Sequence, residues 1–445
     1  MKTTNQQEIL SNLGFETLTP MQEQMRHTAS TSQGVVLLSP TGSGKTLAYL
    51  LPLVAYMDAS LTALQAVVIV PTRELAQQSE QVLRNMKTPF SSLALYGGRP
   101  AMQEHRVLRE VKPQIIFATP GRLNDHLAKG NVNVHGVKTL VIDEFDKCLE
   151  LGFQDEMERV LMQFPTLRRA WLTSATDAEA IPAFMQKLMP QYSKLDWLSD
   201  ADTDLQHRME VYCVKSSQKD KLQTLTQLLY HLQGVPAIVF VAHRESVERV
   251  GAWLATEGFY SVMYHGGMEQ DVRERSLYLF RSGAANVLVS TDLAARGLDI
   301  PEVQAVVHYH LPLKSEEYTH RNGRTARWKA QGAVYLITGP TETLPDYVAD
   351  AQLLELNDSK QRVVVPQYAS LYIGRGKRDK LSKADILGFL CKKGGLTAVE
   401  IGRIDVAPHH AYVAVLRSKL RSVLNQIAGE KIKGMKTLIE ETKKK

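Results

Sequence analysis

Short apolar runs rich in β-branched residues recur through the first two hundred positions: VVLL from Val35, AVVIV from Ala66, LALYG from Leu93, QIIFAT from Gln114, TLVID from Thr139 and AWLTSAT from Ala170. Polar, helix-compatible segments separate them. Strands alternating with helix-length spacers predict βαβ units and a parallel sheet. After a polar, acidic stretch over residues 199–204 a second series follows, AIVFV from Ala237, SVMYHGG from Ser261, NVLVST from Asn286, AVVHYHL from Ala305 and AVYLIT from Ala333. It predicts a second α/β domain. Two such domains in tandem can hold a ligand in a cleft beyond the carboxyl ends of their strands, where loops carry chemistry.

From about Val363 the pattern changes to SLYIGRGK, a helical ADILGFLCKKG, then EIGRIDV, AYVAVLR, a helical KLRSVLNQIAGE and KTLIEET. The order reads βαββαβ, the layout of an RRM-type sheet with two helices on one face, which ferredoxin-like domains without an RNA role share. The chain thus divides into residues 1–203, 204–360 and 366–445. Charge follows this division: residues 366–445 carry 17 Lys and Arg against 7 Asp and Glu, a net +10, while residues 1–365 sum to −4. A basic module that alternates with strand-like apolar runs points to nucleic acid. Cys148, Cys213 and Cys391 are far apart and odd in number, so they read as reduced thiols rather than a disulfide framework or zinc site. The start, MKTTNQQEIL, lacks a secretory pattern and no apolar run is long enough to span a bilayer, so a cytoplasmic location, no membrane partner and a monomer are the expectations.

The candidate chemistry begins at Val35. The run VVLLSPTGSGKT breaks into a glycine-rich turn in which Gly42 and Gly44 let backbone N–H groups face a polyphosphate, Lys45 adds a charge and Thr46 offers a hydroxyl to Mg²⁺. Ser39 stands where the strict phosphate-loop pattern has Gly. At the end of TLVID lie Asp143, Glu144, Phe145 and Asp146; Asp143 suits a metal holder and Glu144 a base that polarises water for attack on the γ-phosphate. Alone, such a cluster reads as a solvated turn, but here it follows a phosphate loop. Ser174, Ala175 and Thr176 follow another strand as hydroxyl bridges or a helix cap. In HRNGRTAR the residues Arg321, Arg324 and Arg327 recur at every third position, a spacing for arginine fingers or for a salt-bridged surface.

These motifs stand in the order of one family. Over residues 8 to about 340 the chain resembles the DEAD-box RNA helicases, through GFETLTPMQ, SPTGSGKT, PTRELA, GG, TPGR, DEFD, SAT, HGGMEQDVR, STDLAARGLD and HRNGRTAR. The resemblance implies RecA-like folds for both α/β domains and use of ATP with Mg²⁺. It implies that Gln22 reads adenine, that Thr41, Gly42, Ser43, Gly44, Lys45 and Thr46 hold the phosphates, and that Thr46 and Asp143 hold the metal. Glu144 is then the base, Asp299 meets the ribose, and Arg324 and Arg327 reach the γ-phosphate. Arg73, Gly98, Thr119, Arg122, Arg273 and Thr291 would line an RNA strand by sequence-independent backbone contact. Arg122 belongs to the element that bends one strand so that a short duplex separates.

Four departures stand out: Phe145 for the usual Ala of the acidic box, Asn5 where an aromatic commonly precedes the adenine-reading Gln, Leu18 for a proline, and Asn322 with Ala326 in the arginine motif. They predict tuned packing and domain coupling rather than loss of activity. Residues 366–445 resemble the C-terminal domain of the DbpA-like bacterial branch, which recognises a large-subunit ribosomal RNA hairpin. Tyr372 occupies a base-stacking position with Tyr412 on the facing strand, Val415 replaces a third aromatic, and Lys377 and Arg378 head a set of lysines suited to structured RNA. The expected function is an ATP-dependent helicase on large-subunit ribosomal RNA. The alternatives are an ATP-gated RNA clamp with little unwinding and, against the motif order, a DNA translocase.

Overall fold

The computed structural model describes residues 6–40, 42–98, 101–177, 181–198, 209–292, 303–325, 332–348, 351–357 and 362–442. Thr41, Asp299, Arg327, Asn5 and Ala326 lie outside them. The first domain is built on β1 (Gly34–Leu38), β2 (Ala66–Ile69), β3 (Ser92–Leu95), β4 (Ile115–Ala118), β5 (Thr139–Ile142), β6 (Arg169–Ser174) and β7 (Ser193–Asp196). They form one parallel sheet in the order β3-β4-β2-β5-β6-β1-β7. Strands β1, β2, β4 and β5 are buried at every position because helices cover both faces, which is why these runs are continuously apolar rather than alternating. Two apolar clusters result, one per face: Val35, Leu37, Val68 and Val141 point into the first, and Val36, Leu38, Val67 and Ile142 into the second.

The second domain repeats the design with β8 (Met209–Lys215), β9 (Ala237–Phe240), β10 (Ser261–Tyr264), β11 (Val287–Ser290), β12 (Ala305–His308), β13 (Gly332–Thr338) and β14 (Gln352–Leu353), all parallel, in the order β10-β11-β9-β12-β13-β8-β14. Adding seven to each strand number of the first sheet reproduces this order. The apolar pattern predicts neither β7, β8 nor β14. Strand β7 reads SKLD and buries only Leu195, and β14 is exposed at both residues, as edge strands paired on one side are. Strand β8, MEVYCVK, is only partly buried over its first half.

The third domain has β15 (Tyr368–Ile373), β16 (Ile401–Val406), β17 (Ala411–Leu416) and β20 (Ile439–Glu441) in an antiparallel sheet of order β16-β17-β15-β20, with a small hairpin of β18 (Lys431–Ile432) and β19 (Met435–Lys436) beside it. The helices Lys383–Lys392 and Leu420–Gln426 cover one face, and Leu371, Ile373, Val413 and Val415 meet Ile386, Leu390 and Val423 there. Ser382 caps the first helix in a reciprocal box with Asp385. The hairpin turns through Lys433 and Gly434, both at positive φ, the twist a two-residue turn needs. Among the described residues no helix is long and apolar enough to cross a membrane.

Candidate functional site

Because every strand of the first sheet is parallel, all its carboxyl ends open on one edge, and strand order decides which residues become neighbours. Strands β5, β6 and β1 are adjacent and end in Asp143, Ser174 and the phosphate loop; β3, β4 and β2 are adjacent and lead to Gly98, Thr119 and Arg73. One half of the edge thus gathers the residues expected to hold phosphate and metal, the other those expected to follow an RNA backbone.

In the first half Gly42 and Gly44 lie at φ +87° and +90°, and Gly44 opens the helix Lys45–Ala55. A Cβ at Gly44 would sit 2.6 Å from the Gln22 amide nitrogen, so this turn requires glycine on conformation and on space. Gln22 donates from Nε2 to the Gly44 carbonyl (3.3 Å), while its Oε1 accepts from the Thr19 N–H (2.9 Å), tying the glutamine motif to the phosphate loop. Lys45 is buried, and its Nζ donates to the carbonyls of Ser39 (2.5 Å) and Pro40 (3.0 Å). Ser39 bonds Ser43 through their hydroxyls at 2.6 Å, which gives the residue in the Gly position a structural task.

Asp143 is buried at the end of β5. Its Oδ1 accepts from the Thr173 hydroxyl and from the Glu144 N–H (3.1 Å), and its Oδ2 from the Tyr49 hydroxyl (3.2 Å). Burial raises the carboxyl above its ordinary range, opposed by the Thr173 bond and the charge of Lys45. Tyr49 lies four residues beyond Lys45 on the same helix face, and its hydroxyl also contacts Thr46, so Tyr49 brings the two predicted metal-holding residues into one network. Sequence reasoning missed Tyr49 and Thr173; the spacing from Lys45 was the available signal for the first. Glu144 takes a left-handed backbone, φ +50°, a strained state for a side-chain-bearing residue of the kind that gathers at reactive sites. Phe145 points into the apolar cluster below, so the departure from Ala changes packing and leaves both carboxylates on the site. Asp146 accepts from the Ala175 N–H (3.3 Å) and the Thr176 hydroxyl (3.0 Å), so SAT braces the acidic loop.

In the other half Arg73 begins the helix Arg73–Asn85 behind the Thr72 cap, and its guanidinium lies against Gly98: a Cβ there would fall 2.3 Å from Nη1, at a residue whose φ is +93°. Thr119 precedes the helix Pro120–Ala128, on which Arg122 stands.

The second sheet places the same residue types in the same slots. After β9, Arg244 begins the helix Arg244–Thr256; after β10 come Gly266 and Gly267; after β11 comes Thr291. Built Cβ atoms on Gly266 and Gly267 would lie 3.6 and 3.4 Å from the Arg244 side chain, the counterpart of Arg73 on Gly98. Arg244, which the sequence reading passed over, thereby joins the candidates. It lines a cleft of about 420 Å³ with His243, Gly266, Arg273 and Thr291. Arg273 is held by the Tyr264 hydroxyl (2.9 Å) and stacks on that ring at 5.0 Å. Arg321 pairs both its Nε and Nη2 with Asp292 (2.5 and 2.6 Å) and donates from Nη1 to the His310 carbonyl (2.7 Å). It therefore ties two motifs together; Arg324, three residues on, is also buried. His308 bridges Arg321 Nη1 (3.2 Å) and Asn322 Oδ1 (2.9 Å); burial first and Arg321 second hold its pKa down at about 3, so it is neutral.

On the third domain, Tyr372 neighbours His410 and Tyr412, each at 5.8 Å between ring centres, on the face away from the helices. Tyr412 is buried against the second domain, where it stacks on Tyr278 at 5.0 Å. The Tyr278 hydroxyl donates to the Arg403 carbonyl (2.6 Å), and Arg417 reaches the carbonyls of Tyr368 (2.7 Å) and Ala284 (3.3 Å) over the Tyr260 ring. Lys377 and Arg378 stand exposed after β15.

Family models match in three places: DEAD/DEAH box helicase over residues 19–182, helicase conserved C-terminal domain over 220–329 and DbpA RNA binding domain over 370–441. The chain is 36% identical over 437 residues to the ATP-dependent RNA helicase DbpA of Escherichia coli (strain K12), spanning 96% of this chain and 94% of that one. To DbpA of Bacillus subtilis (strain 168) it is 28% identical over 468 residues, 98% and 97% of the two chains. Among solved structures, S. cerevisiae Dbp5 bound to RNA and ADP BeF3 superposes with TM-score 0.67 at 26% identity, covering 75% of this chain and 88% of that one.

Proposed function

The chain belongs to the DbpA-like DEAD-box ATP-dependent RNA helicases, and from that membership we propose that it remodels structured ribosomal RNA, in the cytoplasm and as a monomer, during assembly of the large ribosomal subunit. It is an RNA-dependent ATPase and helicase with two RecA-like domains and an RNA-binding third domain. The observation that carries the finer reading is the third domain: net charge +10 over residues 366–445, with Tyr412 given to packing on Tyr278 while Lys377 and Arg378 stay exposed. A sheet face that gives a tyrosine to an intramolecular stack has fewer rings for single-strand bases, which favours a structured RNA recognised by charge and shape.

In this reading Gln22, Thr41, Gly42, Ser43, Gly44, Lys45 and Thr46 bind ATP, with Asp299 at its ribose and Arg324 and Arg327 stabilising charge on the γ-phosphate. Asp143 and Thr46 are hard oxygen donors and fit Mg²⁺, which keeps several waters and needs only one or two protein ligands. The buried Asp143 carboxylate, joined to Thr46 through Tyr49, supports that fit. Bound there, Mg²⁺ would neutralise charge on the phosphates. Glu144 takes the proton of the attacking water. Arg73, Gly98, Thr119, Arg122, Arg244, Arg273 and Thr291 follow the RNA backbone, and Tyr372, Lys377 and Arg378 dock the RNA target.

ATP hydrolysis measured with a large-subunit hairpin fragment and with unrelated RNA, in the native chain and in K377E/R378E, tests the target. The ribosomal fragment is expected to stimulate at about tenfold lower concentration, a preference that the charge reversals abolish. Equal stimulation by both RNAs in both proteins would leave a general RNA helicase and end the ribosomal assignment.

A further inference from the structure

Beside the RNA half of the first sheet, three titratable side chains meet away from the ATP site. Glu104, on the helix Ala101–Val111, is buried, and its Oε2 accepts from Arg122 Nε at 2.6 Å and from His126 Nε2 at 3.1 Å. His126 is fully buried, and its other ring nitrogen faces the Asn131 amide at 3.3 Å. The Asn131 Nδ2 donates to Nδ1, which fixes the tautomer with hydrogen on Nε2 and aims that hydrogen at Glu104. Despite burial, the hydrogen bonds from His126 and Arg122 hold the Glu104 carboxyl below its ordinary range, so it stays ionised. Arg122 also lies 3.6 Å from Asp125, but that carboxylate is taken by Lys129 at 2.5 Å.

From this chain of contacts we infer that Glu104 is a positioning residue for Arg122: braced by His126, it sets the plane of the Arg122 guanidinium before RNA arrives, and this orientation, rather than the arginine's charge, is what strand separation requires. The inference rests on the reading above that Arg122 contacts and bends an RNA strand. A guanidinium is planar, so one charge-assisted bond through Nε to a rigid carboxylate restricts the whole fork. Glu104 is rigid because its bond to His126 lies inside the protein, whereas Asp125 is a neighbour on the same helix. A phosphate does not displace Glu104, which is only 6% exposed and of like charge. The carboxylate therefore lowers the simple attraction of this corner for RNA while improving its geometry. A plain staple between two helices makes the same bonds, so the separating property is geometry against affinity.

Three variants of the full chain decide it, read by RNA half-saturation of ATP hydrolysis, duplex separated per ATP hydrolysed, and thermal unfolding. E104A is expected to leave RNA half-saturation within about threefold of native and to lower separation per ATP about tenfold, a loss of the size that misplaced groups produce. E104Q, whose amide oxygen still accepts from Nε, should recover most of the separation. In R122A, which separates poorly on the underlying reading, adding E104A should cost nothing further. The inference is overturned if E104A separates strands at the native yield per ATP while only the unfolding temperature falls, or if E104A costs as much in the R122A background as alone. Native separation in R122A itself would remove the reading of Arg122 beneath it. Should E104A not fold, E104M, which keeps the side-chain volume and removes the acceptor, against R122A/E104M completes the same cycle.

Discussion

The two parallel sheets have one topology and unequal chemistry. After β2, β3 and β4 the first carries Arg73, Gly98 and Thr119; after β9, β10 and β11 the second carries Arg244, Gly266 with Gly267, and Thr291. In both, an arginine at a helix start lies over glycine that follows the strand two places along the sheet. The other slots diverge. Where β1 leads to the phosphate loop, β8 leads to Ser216, and where β5 ends in Asp143 and Glu144, β12 leads to Tyr309 and His310, beside the buried His308. The arrangement proposed to bind an RNA backbone is thus duplicated, while the one proposed to bind phosphate occurs once. A nucleic-acid strand repeats its phosphates and can be gripped twice by similar means, whereas a nucleotide has one γ-phosphate and needs one base and one metal site.

The comparison breaks first at Glu144. E144Q is expected to lower RNA-stimulated ATP hydrolysis by about 10²–10⁴-fold with ATP binding retained, the loss of a general base; H310N in the equivalent slot should change turnover by less than about threefold. If the two losses match, the slots are not chemically distinct. Next in size, R73A and R244A should each raise RNA half-saturation about tenfold and each reduce the steepness of its salt dependence by about one ion. An effect confined to R73A would show that the second grip is only geometric.

Glycine substitution separates the two grips further. G98A places a Cβ against the Arg73 guanidinium at a residue with φ +93°, whereas Gly267 would bring its Cβ no nearer than 3.2 Å, to His265. G98A should cost about 1–2 kcal/mol in urea unfolding and weaken RNA binding, and G267A less than half of either. The smallest effect concerns pH. Burial holds His308 at about 3 and His310 at about 4 against an ordinary 6.5. Below about pH 6.5 the unfolded chain takes up protons that the folded chain refuses, so these residues stabilise the second domain above that pH. Their contribution falls as pH drops toward 4, by at most about 1.4 kcal/mol per pH unit for each. H308N should flatten this slope in unfolding measured from pH 7 to 5; an unchanged slope would mean that His308 is not held neutral.

Much of this was legible in one dimension. Apolar runs announced eleven of the fourteen described parallel-sheet strands, because burial between two helix layers disfavours polar residues there. Strands β7 and β14 were illegible because an edge strand meets only one neighbour and keeps polar side chains. In the site, neighbourhoods set by adjacency in the chain were readable, Lys45 after Gly44 and Glu144 after Asp143, whereas the spacing of arginines three apart did not show that Arg321 is taken by Asp292. Tyr49, Thr173 and Glu104 were not, because their partners Asp143 and Arg122 lie 94, 30 and 18 residues away. Tyr412 carried a misleading signal: an aromatic on the open sheet face suggests a base platform, but Tyr278 from another domain covers it.

Sequence by itself determined the fold class, the single phosphate loop, the acidic pair and the confinement of basic charge to the third domain, since each depends on local period, backbone freedom or residue type. Only the tertiary structure decided that the phosphate loop with Asp143 and the set Arg73, Gly98 and Thr119 occupy separate halves of one sheet edge, that Arg244 matches Arg73, and that Arg321 serves Asp292. Strand order is set by how long-range packing buries the apolar faces, and no local spacing encodes which strand ends become neighbours.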